Sequence, residues 1–265
     1  MPASEIRTKL LAMVGAILLI AAGGFFSDSL YAEELRILAP TEMKFALQEL
    51  VDEFQRAGQR TVSVVFDSSG GLFARIKQGE NSDLFFSSDR RYAERLIETS
   101  EAESGTLYRY GVSSLVLWAP KGTRVNLNSQ KMQALVDPLV KKIAIPDPTL
   151  VPPGKAAVAA LAYFGLTEAL QKKIILTDTS WMAARYVESG AADLAIIPLS
   201  LATGPSMLET GVYWEIPRAA YPTLEICSVI LRDTPNRATA RAFLLHINSK
   251  AGRTVLNRYG LLPPR

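Results

Sequence analysis

The sequence predicts an α/β protein in two lobes, each a parallel or mixed sheet with flanking helices, and three observations predict it. Short apolar runs alternate with stretches of helical periodicity, the pattern that parallel strands joined by crossover helices produce. The alternation restarts near Ser113, so it describes two units rather than one. Four strand-to-helix junctions share one chemistry: Ala39-Pro40-Thr41-Glu42, Asp67-Ser68-Ser69-Gly70, Val151-Pro152-Pro153-Gly154 and Asp178-Thr179-Ser180. Ligands of open α/β sheets gather at the carboxyl ends of strands, where the first amides of the next helix point outward.

In chain order, Met1 to Ala32 comes first. Arg7 and Lys9 precede an apolar run from Leu10 to Phe26, and a small residue, Ala32, stands before a strand-like segment. This reads as a secretory signal. Leu30 is larger than the residue preferred two positions before such a cut. An uncleaved anchor is the alternative, since the run approaches membrane-spanning length; Gly23-Gly24 and the lack of a second run favour removal.

Strand Leu35 to Leu38 runs into a helix opened by Thr41 or Glu42, in which Met43, Leu47, Leu50, Val51 and Phe54 recur at helical spacing. The stretch Val64 to Asp89 is a strand, a Ser/Gly turn, a short helix stopped at Gly79 and a second strand, Leu84 to Phe86. Ser88 or Asp89 caps the next helix, through Ile97. A long apolar strand begins at Ser113 and ends in the Pro/Gly turn at 120–122. There follow a helix near Lys131 to Val140, strand Ile143 to Ile145, helix Lys155 to Phe164 closed by Gly165, strand Ile174 to Leu176, helix Trp181 to Glu188 closed by Gly190, and strand Ala192 to Ile197. Strand Leu224 to Leu231 and helices Ala238 to Ile247 and Lys250 to Tyr259 complete the chain. The expected lobes are 33–112 with 202–265, and 113–201.

Composition narrows the function. At 265 residues and 48% hydrophobic content the chain buries a large core. A net charge of +3 without a basic run gives no footing for nucleic acid. The single cysteine, Cys227, permits no intrachain disulfide, and no cysteine follows the signal to carry a lipid. The single histidine, His246, sits among Phe243, Leu244 and Ile247, which argues against a histidine triad or a histidine-rich zinc site. Each junction taken alone is a helix cap, because a serine before a helix usually satisfies only its own backbone. Four together, two in each half, form a cleft suited to a small ligand held by amides and hydroxyls.

The segments FDSSGGLFARIKQGENSDLFFSSD, VSSLVLWAPKG, IAIPDPTLVPPGKAAVAAL with its later FG, ARYVESGAADLAIIP and NRYG resemble the periplasmic molybdate-binding proteins of ABC importers, over nearly all of the chain after the signal. The resemblance implies a type II-like two-lobed binding protein, exported to the periplasm. It implies a monomer that closes on a tetrahedral oxyanion such as molybdate or tungstate and delivers it to a membrane permease. No enzymatic activity and no cofactor are implied. Carried over by position, the ligand set is Thr41, Glu42, Ser68, Ser69, Gly70, Pro153, Gly154, Ser180 and Pro198. Ser69 keeps the family's serine of the second turn, and Ser180 offers both amide and hydroxyl. The first-turn serine becomes Glu42, the third-turn amide donor becomes Pro153, which has no N–H, and the family's tyrosine becomes Pro198.

Glu42 decides how far the ligand carries over. Two unit charges about 4 Å apart repel by roughly 4 kcal/mol at an effective dielectric near 20, and a dianion feels about twice that. Glu42 therefore faces solvent, is protonated in the closed cleft, or coordinates the metal centre of the oxyanion directly. Otherwise the ligand is a different solute, neutral or carrying a positive group that Glu42 pairs with. Asp67 is expected to bond nearby amides rather than ligand, Arg75 and Arg185 to lie on solvated faces, and Trp181 to pack in the core or line the cleft. A serine or carboxylate hydrolase built on Ser69 with Glu42 or Asp67 lacks a base at recognisable spacing.

Overall fold

The computed structural model describes residues 34–58 and 60–263. The expected signal segment, Met1 to Ala32, lies outside them. Strands β1 (Leu35–Pro40), β2 (Val62–Asp67), β3 (Leu84–Ser87), β4 (Tyr108–Ser113) and, from late in the chain, β10 (Leu224–Ile230) form a five-stranded sheet in the order β2-β1-β3-β10-β4. Strands β5 (Leu115–Pro120), β6 (Ile143–Pro146), β7 (Ile174–Thr177), β8 (Leu194–Pro198) and β9 (Gly211–Glu215) form a second sheet in the order β7-β6-β8-β5-β9. In each, four strands share one direction and one strand, β10 in the first sheet and β5 in the second, runs antiparallel between its two neighbours. Helices α1 (Lys44–Gly58), α2 (Ser69–Lys77), α3 (Arg90–Glu98), α4 (Leu127–Gln130), α5 (Pro152–Tyr163), α6 (Thr167–Leu170), α7 (Ser180–Glu188), α8 (Leu199–Ala202), α9 (Pro205–Thr210), α10 (Arg237–Asn248) and α11 (Lys250–Arg258) cover the faces.

The inner strands of each sheet are buried on both sides, which is why β3, β6 and β8 read as continuous apolar runs rather than as alternation. Leu35, Ile37, Leu84 and Phe86 pack under α1, α10 and α11 with Leu47, Phe243 and Leu256. Leu38, Phe85, Cys227 and Val229 pack on the other face with Leu72 and Leu96. The second sheet repeats the arrangement, with Leu117, Ile143 and Ile196 on one face and Val116, Trp118 and Ile197 on the other. Helices α5 and α7 end at glycines in the left-handed region, Gly165 at φ 66° and Gly190 at φ 75°, the expected conformation for a helix C-terminus.

Three sequence expectations differ from the structure. The helix expected near Lys131 to Val140 is instead the short α4 followed by a 3₁₀ segment, Lys131–Val136. Lys131 adopts φ 54°, which breaks one helix from the other, and Pro138 lacks the amide to extend it. The apolar strand expected from Ser113 begins two residues later as β5, because Ser113 ends β4 of the first sheet and the chain crosses to the second at Ser114. The return crossing lies later than residue 202. β9 pairs along β5 from Val116 opposite Glu215 to Pro120 opposite Gly211, and Leu199, Leu201, Ala202 and Met207 pack in the second lobe's core. Residues 202–215 therefore belong with the second sheet, and the segment between β9 and β10 carries the chain back.

Candidate functional site

The carboxyl ends of β1, β2, β3 and β7 each lead into a helix, and the hydroxyl side chains at those junctions are buried together with Glu42. After β1 the chain makes a 3₁₀ turn, Thr41–Met43, before α1 begins. That turn places Glu42 on the same inward face as Ala46 and Leu50, both fully buried, and leaves Glu42 only 2% exposed. Of the positions open at sequence level, the structure chooses inward. The Thr41 hydroxyl lies 3.4 Å from Glu42 Oε2, while Oε1 is buried with no hydrogen-bond partner. Burial drives the Glu42 pKa above its ordinary value, opposed in part by the nearby Ser88 and Thr41 hydroxyls and its own backbone amide.

At α2, Ser68 caps the helix by accepting the Gly71 amide at 3.1 Å, and the Ser68 carbonyl accepts from Leu72 at 2.9 Å. The first-turn amides of Ser69 and Gly70 have no helical partner. Ser69 is fully buried, and its Oγ lies 3.1 Å from both the amide and the hydroxyl of Ser88. Asp67 behaves as expected, with Oδ1 accepting the Ser68 amide at 2.6 Å. At α7, Thr179 Oγ1 accepts from Met182 at 3.1 Å, which leaves the amides of Ser180 and Trp181 as the unpartnered pair. Ser180 Oγ is itself buried without a partner. The 3₁₀ turn bearing Glu42 packs against α7, so the two unpartnered side-chain oxygens belong to facing elements of the two lobes.

The lobes touch around this shell. A methyl group on Gly70 would come within 2.9 Å of Tyr92 Oη and 3.1 Å of the Leu150 carbonyl, so a larger residue there would push the Tyr92 ring and the Leu150 loop outward. Trp181 meets Phe45 edge-on at 5.8 Å between ring centroids, with Lys44 Nζ 4.0 Å from the Trp181 ring. Ser200 Oγ donates to the Glu42 carbonyl at 2.6 Å across the same boundary. Ser200→Ala is expected to cost about 1 kcal/mol, read as a drop in the denaturant midpoint at unchanged slope.

Pro153, Gly154 and Pro198 present no free amide to the site. Pro152 and Pro153 have no N–H, and the Gly154 amide bonds the Val151 carbonyl at 3.1 Å, so the start of α5 presents no free amide from Pro153 or Gly154. Gly154 is instead a packing residue, since a Cβ there would lie 2.3 Å from the Pro146 carbonyl. Pro198 closes β8 opposite Leu115, and the amide after it, Leu199, bonds Ser114 at 2.7 Å. Arg75 pairs with Glu80 at 2.7 Å and Arg185 with Glu188 at 2.6 Å, as residues of solvated faces do. Two members of the shell escaped the sequence reading. Ser88 stood there only as a cap, and Ser200 carried no role, although FFSSD repeats at the end of β3 the small-hydroxyl pattern of the other junctions.

The arrangement is a buried shell of hydroxyls, helix-start amides and one carboxyl with a raised pKa, assembled from both lobes. It suits a small, strongly polar solute taken up by closure. Comparison with known proteins agrees. The family model described as bacterial extracellular solute-binding protein matches residues 35–262. The molybdate-binding protein ModA of Azotobacter vinelandii is 26% identical over 244 residues, covering 92% of this chain and 96% of that protein. ModA of Rhodobacter capsulatus is 26% identical over 200 residues, covering 76% and 77%. The solved structure of the Azotobacter vinelandii periplasmic molybdate-binding protein superposes with a TM-score of 0.81 at 26% identity, over 87% of this chain and all of that one. With a two-lobed fold, a polar shell between the lobes and a family match that spans both, the chain belongs to the bacterial extracellular solute-binding proteins.

Proposed function

We propose that the protein is the exported, periplasmic solute-binding component of an ABC importer, closing on a small tetrahedral oxyanion and presenting it to a membrane permease. The observation that carries this reading is the buried shell of Glu42, Ser69, Ser88 and Ser180, in which Glu42 Oε1 and Ser180 Oγ have no partner among the described residues. Two helix starts, at Ser69 and Ser180, aim their free amides at the same boundary, and helix starts favour anions. Molybdate is the first member of the class to try, because the relatives bear that name, and tungstate, of like charge and shape, is the second. The mechanism is binding by closure: the open form exposes the junctions to water, ligand bridges the lobes, and the closed form docks. A second reading rests on Glu42 alone, a buried carboxyl in a shell with no paired cation, and assigns a cationic solute.

A thermal-shift screen with molybdate, tungstate, sulfate, phosphate, chromate, amino acids and polyamines separates the two. Ligand at a hundred times its dissociation constant adds about 2.7 kcal/mol, enough to raise the midpoint by a few degrees. Stabilisation by an oxyanion is the expected result. Silence from every oxyanion together with a shift by a polyamine or a basic amino acid transfers the assignment to the second reading.

A further inference from the structure

The two carboxyl oxygens of Glu42 are not equivalent. Oε2 has the Thr41 hydroxyl beside it, whereas Oε1 is enclosed without a donor. Buried polar atoms without partners are rare in folded proteins, and this one lies at the boundary that the bound solute occupies under the oxyanion reading, on which the inference rests. An ionised carboxylate oxygen and an anionic ligand oxygen repel at contact. One proton between them converts the same contact into a short, charge-assisted hydrogen bond. The closed site therefore holds one proton more than its separated, ionised parts.

That proton comes either from Glu42 or from the ligand. The charged groups on the elements packed round Glu42 are otherwise engaged. Lys44 on α1 lies over Trp181, Asp67 before α2 accepts the Ser68 amide, and Asp89 before α3 pairs with Arg91 at 2.6 Å. Arg185 on α7 pairs with Glu188, and α8 carries no ionisable residue. Among the described residues no cation neutralises Glu42, so a fully ionised oxyanion binds only when Glu42 takes up a proton from solvent. An oxyanion that is already protonated brings its own and leaves Glu42 Oε1 as the acceptor.

We propose that Glu42 sets the specificity of this site, selecting oxyanions that carry a proton at neutral pH, of which phosphate and arsenate are the simplest, by accepting their O–H on Oε1. Sulfate and molybdate, which are fully ionised there, bind more weakly. The remaining ligand oxygens face donors indifferent to protonation, namely the Ser69 and Ser180 hydroxyls and the free helix-start amides.

The test is equilibrium binding of phosphate, arsenate, sulfate and molybdate to the purified protein at pH 7.5, with Glu42→Gln and Glu42→Asp in parallel. Phosphate and arsenate are expected to bind about tenfold or more tightly than sulfate and molybdate. In Glu42→Gln, whose amide either donates or accepts, the ratio falls to within about threefold. Glu42→Asp keeps an acceptor and keeps the preference, at lower affinity for all four. Sulfate or molybdate binding as tightly as phosphate overturns the inference while leaving the oxyanion reading intact, and so does a preference that survives in Glu42→Gln. Failure of all four anions to bind the unsubstituted protein overturns both.

Discussion

Glu42→Gln is expected to stabilise the ligand-free protein at alkaline pH and to remove a segment of its pH dependence. The sign follows from the direction of the shift. Glu42 begins from an ordinary value of 4.5 and is raised in the closed fold by burial, so between those two values the folded chain holds a proton that the unfolded chain has released. Stability therefore falls as pH rises through that window, by up to about 1.4 kcal/mol per pH unit. Below the window both states are protonated, and above it both are ionised, so the loss is then complete and constant. Its size is bounded by the cost of opening the cleft, because opening returns the carboxylate to water. Glutamine titrates nowhere in this range. Denaturant melts of both proteins across pH 4 to 9 should diverge above pH 5, the variant being the more stable; parallel profiles would place Glu42 in contact with water.

Ser69→Ala carries the second large effect, and it acts twice. The Ser69 hydroxyl accepts the buried Ser88 amide at 3.1 Å, and a buried amide left without an acceptor costs about 1–3 kcal/mol. The same hydroxyl stands beside the free amides that open α2, where an anion would take its proton. A hydrogen bond to a charged group is worth roughly 1.5–3 kcal/mol, so affinity for the bound oxyanion should fall by about 10- to 100-fold. Calorimetric titration alongside a thermal melt separates the two consequences. Lost stability with unchanged affinity would make Ser69 a structural residue only.

Most of the scaffold was legible in the sequence because it is written in local chemistry. The runs at Leu84, Ile143 and Leu194 are apolar because these central strands are covered on both faces, and Gly165 and Gly190 stop their helices by a backbone conformation that other residues avoid. The misread segments are those where long-range pairing decides. Nothing local in Gly211–Glu215 says that its partner is β5 rather than a strand of the first sheet, and only the β5 pairing puts 202–215 in the second lobe. The direction of Glu42 was undecided because a 3₁₀ turn and an α-helical start at Thr41 differ in where they aim the second residue. Buried Ala46 and Leu50, four and eight positions on, are the trace of the answer. The loss of Pro153 and Gly154 as donors was half visible, since proline has no amide; that the Gly154 amide is spent on Val151 required the coordinates. Ser88 and Ser200 were missed because a serine at the end of a strand reads as a cap until its neighbour across the sheet or across the lobe boundary is known.

The central claim is that closure buries Glu42 against a bound oxyanion with one proton shared between them. Calorimetric titration of molybdate at pH 8.5 in buffers of differing ionisation enthalpy counts that proton directly. Uptake of about one proton per ligand by the unsubstituted protein, and about none by Glu42→Gln, is the predicted result. Tight molybdate binding with no proton taken up would contradict it, because the carboxyl would then be lying away from the ligand.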